Sequence, residues 1–78
     1  MITLKNLKRI DNIITADVYP ESYDRPGHIA VDVVKEEIVE FRDAPGNPYL
    51  SGESHAARAI IKLKNLETLP EKHVVIWY

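Results

Sequence analysis

Only one stretch of this chain has the period of an amphipathic helix, and a lone helix restricts how every other segment can bury its apolar residues. Across residues 51–66, Ala56, Ala59, Ile60 and Leu63 fall on one stripe at about 100° per residue, with Leu66 at its margin. Arg58, Lys62 and Asn65 fall opposite. Ile61 points to that polar side, where it is either an isolated exposed residue or a contact for a partner. Ser51 is placed to act as N-cap, its hydroxyl accepting a first-turn N–H. Glu53 near the start and Lys62 and Lys64 near the end complement the helix dipole, and Pro70 prevents much continuation. A start with Asn47 as cap and Pro48 at the first position would leave Gly52 inside the helix at a cost of about 1 kcal/mol, so the later start is preferred.

The rest reads as strand and turn. Met1–Leu7 is a first strand, with Ile2 and Leu4 on one face and Thr3 and Lys5 on the other. Residues 8–12 form a reversal, since Asp11 and Asn12 tolerate turn geometry. Ile13–Tyr19 is a second strand, with Ile14, Ala16 and Val18 on one face and Ile13, Thr15, Asp17 and Tyr19 on the other. Two prolines and a glycine make residues 20–27 a loop. His28–Lys35 and Ile38–Arg42 are a third and fourth strand, joined through Glu36-Glu37, a pair with poor hairpin chemistry. Residues 43–50 lead into the helix, and His73–Tyr78 is a last strand.

The order strand-strand-strand-strand-helix-strand predicts a single α+β domain over residues 1–78: a mostly antiparallel five-stranded sheet with the helix on one face. The last strand either pairs antiparallel with the first, giving order 4-3-2-1-5, or lies parallel beside the fourth.

One helix covers one face. The other would carry Ile13, Thr15, Tyr19, Ala30, Val34, Val75 and Trp77, with Asp17 and Asp32 its clear charges, which is more apolar than a wet face needs. Strand propensity accounts for part of this. A contact surface accounts for the same residues, and association would also relieve the small core of a 78-residue chain. Ile13, Tyr19, Val34, Val75 and Trp77 are therefore the candidate interface residues.

Composition narrows the alternatives. There is no cysteine, so neither a disulfide nor a thiolate metal site is available, and a reducing cytoplasm is the expected location. No apolar run approaches the ~20 residues of a membrane span, and the N-terminus lacks a signal-peptide layout. A net charge of −2 disfavours a general nucleic-acid binder.

Catalytic signals are weak. Gly52-Glu53-Ser54-His55-Ala56 has the spacing of a nucleophile elbow, but no strand runs directly into it. His28, His55 and His73 lack metal-site spacing, so no metal or other cofactor is expected. Asp17, Asp32, Glu40 and Asp43 could pair for acid–base work, as acids do in any domain of this charge content. The loops are better candidates for a site: Tyr23 and Arg25 in one, and Asn47, Tyr49 and His55 at the helix start, are residue types that recognise partners.

Asp43-Ala44-Pro45-Gly46 and the helix after it are similar to the Pro-Gly turn and helix of HicB-type antitoxins. That likeness covers about a quarter of the chain, the glycine spacing departs and the upstream strands differ, so it assigns no family. It implies an RNA-related or toxin-binding role only as an alternative. The sequence as a whole points to a non-enzymatic module that self-associates or binds another protein. The alternative is a small ligand- or nucleic-acid-binding domain using the 20–27 and 43–55 loops.

Overall fold

The computed structural model describes residues 1–21, 23–47 and 52–76. Along them run β1 (Ile2–Ile10), β2 (Ile13–Pro20), β3 (Gly27–Asp32), β4 (Glu37–Arg42), α1 (Glu53–Lys62) and β5 (Lys72–Val75). The strands form one antiparallel sheet in the order β4-β3-β2-β1-β5, so β5 takes the place beside β1. This is the expected α+β arrangement.

The two-residue alternation of the strands makes the core. Ile2 and Leu4, Ile14, Ala16 and Val18, and Ile29 and Val31 point to one face, where they meet Ala56, Ala57 and Ile60 of α1. The register brings Leu4 opposite Val18, Ile14 opposite Val31 and Ala16 opposite Ile29, so a continuous apolar layer forms under the helix. Each fully buried aliphatic side chain in such a layer is worth about 1.5–3 kcal/mol.

The strand ends differ from the sequence expectation for identifiable reasons. β1 continues to Ile10, and the reversal is only Asp11-Asn12, because Asp11 takes the left-handed conformation (φ 54°) that closes the turn at once. Its length is reconciled with β2 by an irregularity between Lys5 and Lys8, where Asn6 is also left-handed. The β3–β4 turn is Val33-Val34-Lys35-Glu36, not Glu36-Glu37. Asp32 supplies the turn chemistry: its Oδ1 accepts from the backbone N–H of Val34 (3.0 Å) and of Lys35 (2.9 Å). Val33 is buried in this turn and donates its N–H to the Asn12 carbonyl at 2.9 Å, which ties the two neighbouring reversals together.

The N-cap of α1 is Gly52, left-handed at φ 66°, with no side-chain cap; the expected cap Ser51 lies outside the described residues. The helix ends at Lys62 and the chain tightens into i→i+3 turns, Lys64 N–H to Ile61 O (3.2 Å) and Leu66 N–H to Leu63 O (3.1 Å). Leu66 is therefore beyond the helix and exposed, not part of its apolar stripe. The buried stripe is Ala56, Ala57, Ile60 and Leu63, with Ile61 half-buried against the core. Relative to the sequence expectation the helix is rolled towards β4. Arg9 holds the region after the helix, donating to the carbonyls of Lys64 and Asp11.

Candidate functional site

The reverse face of the sheet is a polar ladder with apolar gaps. Residues opposite one another in register share a face. That side therefore carries Lys5 and Lys8 of β1 opposite Asp17 and Thr15 of β2, and Glu40 and Arg42 of β4 opposite Ala30 and His28 of β3. The greasier surface expected from residues 13–34 with Val75 and Trp77 leaves out β1 and β4, which supply most of the charge of this face. Asp17 is the centre of the ladder. Its Oδ2 accepts from the Asn6 amide at 2.7 Å, and its Oδ1 lies 3.6 Å from His28 Nδ1. His28 Nε2 in turn lies 4.0 Å from Glu40, and the Lys5 ammonium sits 4.8 Å from the centroid of the Tyr19 ring.

The candidate interface residues do not share one surface. Ile13 and Tyr19 lie on the reverse face, half-buried. Val34 is in the β3–β4 turn and exposed. Val75 stands opposite Ile2 and packs against the core on the helix side, because β5 pairs with β1 in a register that sends Val74 to the reverse face instead. Trp77 is outside the described residues.

The two loops are brought together. The Tyr23 hydroxyl donates to the carbonyl of Pro45, bridging residues 20–27 to residues 43–47. Asn47 is used locally, its side-chain amide donating to Asp43 Oδ1 at 3.0 Å and its N–H to the Ala44 carbonyl at 3.1 Å. Arg25 is exposed, and Tyr49 lies outside the described residues. His55 is elsewhere, facing β5 across a groove that also holds His73. Two of the three histidines thus converge, while His28 is on the far side of the sheet.

The acids divide by task. Asp32 and Asp43 spend an oxygen on turn N–H groups, whereas Asp17 and Glu40 flank His28. Among the described residues no set of three histidines, aspartates or glutamates could hold a metal ion.

None of the candidate interface or loop residues falls on β4. It is an edge strand, with β3 its only neighbour among the described residues, yet Ile38 and Val39 are exposed, Val39 by 61%. On its inner face Ile38 borders a groove shared with Ala57 and Ile61 of α1, and Phe41 packs against the core. The adjacent apolar pair Ile38-Val39 was the available signal, since strict alternation forbids it and a bulge at that point explains it.

No protein-family model matches the chain, and neither a curated protein nor a solved structure matches it. No helix among the described residues is long and apolar enough to cross a membrane.

Proposed function

We propose that this chain is a non-enzymatic interaction module that self-associates, two copies pairing antiparallel along β4 so that their sheets run on into one another. Its main support is the self-complementarity of that strand. In an antiparallel pair with the dyad between Val39 and Glu40, Glu37 meets Arg42 of the second copy and Ile38 meets Phe41 of the second copy. The irregularity in β4 makes the faces agree: Glu37 and Arg42 are both on the reverse side, Ile38 and Phe41 both on the helix side. An unbulged strand would put the members of each pair on opposite faces.

Two features of the monomer favour this pairing. Glu37 stands opposite Asp32 within the sheet, a like-charge juxtaposition that is unfavourable unless a cation joins it. Arg42 of a second copy is such a cation. Edge strands usually resist pairing through charge and bulges, and β4 has both, but its charges are of both signs and arranged to be satisfied by its own copy. The half-buried Ile61, together with Ile38, would be covered as the β4–α1 groove closes.

Sedimentation equilibrium tests the proposal. A dimer at micromolar concentration is expected, and Val39→Glu, at a position with 61% exposure that faces Glu40 of the second copy in this register, is expected to give a folded monomer with an unchanged circular dichroism spectrum. A native chain still monomeric at about 100 µM, or a dimer indifferent to Val39→Glu, would overturn it.

A further inference from the structure

We infer that the groove between α1 and β5 is a binding site for a small phosphate monoester with an apolar body. It lies at the opposite edge of the sheet from β4 and does not depend on self-association.

The groove forms because α1 presents the positions 55, 58–59 and 62–63, spaced three and four apart, to the inner face of β5. His55, Arg58 and Lys62 rise along the helix side, and His73, opposite Leu4 in the sheet and so facing the helix, comes from the strand. Ala59, Leu63 and Val75 make the floor. The space amounts to about 430 Å³, within the range of small-molecule sites.

The chemistry of the lining is one-sided. Four nitrogen-bearing side chains surround it, two of them permanent cations, and no carboxylate lines it among the described residues. This stands out in a chain of net charge −2. Arg58 and Lys62 stand on the ridge between this groove and the one on the other flank of the helix, where Glu36 and Glu37 join the lining. A guanidinium and an ammonium beside the two imidazoles oppose a metal ion, so the histidines here suit an anion. A compact dianion can take a forked contact from Arg58 and a point-charge contact from Lys62, with the His73 imidazole N–H as a further donor from the strand side. The aliphatic floor of Ala59, Leu63 and Val75 suits an apolar body attached to that phosphate.

Phenyl phosphate is the probe, titrated into the full chain and followed by amide NMR. The expected result is saturable shifts centred on Arg58, Lys62, His73 and Val75, with an apparent Kd of about 1 mM. Inorganic phosphate should act at the same residues more weakly, and phenol should not act there. Arg58→Gln with Lys62→Gln, both exposed, should weaken binding about tenfold or more while leaving the fold unchanged. Three outcomes would overturn the assignment: no saturable shift at these residues, equal binding by the double variant, or phenol binding as well as phenyl phosphate. Occupation of the groove by an RNA oligonucleotide but not by phenyl phosphate would overturn it in favour of a nucleic-acid site.

Discussion

Gly27 lies directly against the backbone of Arg42, so close that a Cβ on Gly27 would overlap the Arg42 carbonyl oxygen. The same atom would stand 2.8 Å from the Ala44 nitrogen and 2.9 Å from the Asp43 carbonyl carbon. The obstacles are all main chain, so no side-chain rotation relieves them. Gly27 is thus what lets the chain leaving β4 cross the start of β3 and turn towards the helix. Gly27→Ala is expected to destabilise the fold by about 1–3 kcal/mol, the usual range for forced overpacking. Urea denaturation measures this as a fall in midpoint at unchanged slope. A midpoint equal to that of the native chain would show that the β3 start and the residues after β4 can separate freely.

Lys5 and Lys72 stand opposite each other across the β1–β5 pair, on the reverse face. β5 is a short edge strand, and a directly opposed like-charge pair weakens its attachment. Lys72→Glu turns the repulsion into attraction. It is expected to stabilise by about 0.5 kcal/mol at low salt, within the span measured for cross-strand pairs, and to lose that gain as salt rises. Thermal unfolding of both chains at two ionic strengths checks it. A gain that persists in high salt would mean that the effect is not electrostatic.

How far the fold could be read ahead depended on the kind of signal. Ile14, Ala16 and Val18, and likewise Ile29, Val31 and Val33, are legible because alternation over a whole strand repeats the same statement several times. Turns rest on single residues and are fragile. The two left-handed residues Asp11 and Glu36 fix where both hairpins reverse, and nothing in a propensity scale picks out a glutamate for that conformation. The irregularities in β1 and β4 were hidden for a related reason: each changes face parity within an unbroken strand. The reverse face looks apolar when it is counted from residues 13–34 with Val75 and Trp77, because the charges that β1 and β4 send there are left out. Val75 was placed on the wrong face because its side depends on register with β1, which is a property of the pair and not of β5. The convergence of His55 with His73 is likewise a product of topology, since residues far apart in sequence meet only when β5 takes its place beside β1.

Glu36 is the strained member of the β3–β4 turn, with φ 57°. A side chain in that region costs about 1–2 kcal/mol relative to the right-handed conformation, and glycine does not incur the cost. Glu36 also lies 3.8 Å from the Lys64 ammonium, but both side chains are well exposed, and such pairs contribute little. Glu36→Gly is therefore expected to raise stability modestly, by up to about 1 kcal/mol, despite losing the ion pair. Asp32→Ala should act in the opposite direction, by about 0.5–1.5 kcal/mol, because the N–H groups of Val34 and Lys35 lose their acceptor. The two urea midpoints should move in opposite directions. A destabilised Glu36→Gly would assign the larger role to the Lys64 contact.

The sharpest examination of the β4 pairing is a charge exchange. If Glu37 meets Arg42 of a second copy twice about a dyad, Glu37→Arg alone places like charges at both ends of the interface, and Arg42→Glu alone does the same. Either single variant should weaken the dimer strongly. The double variant restores opposite charges at both contacts and should recover most of the native affinity, which a nonspecific apolar association would not do. Inside one copy Glu37→Arg removes the like-charge contact with Asp32, so monomer stability should hold or rise while dimerisation falls. That divergence separates the interface from the fold. Glu40 adds a second readout. In this register it lies diagonally across the dyad from its own copy, on the same face, so Glu40→Gln should tighten the dimer about two- to fivefold. Sedimentation equilibrium on the four variants and the native chain gives the full comparison. A register with a different dyad would fail at the rescue step, since no other antiparallel self-pairing of β4 sets Glu37 against Arg42.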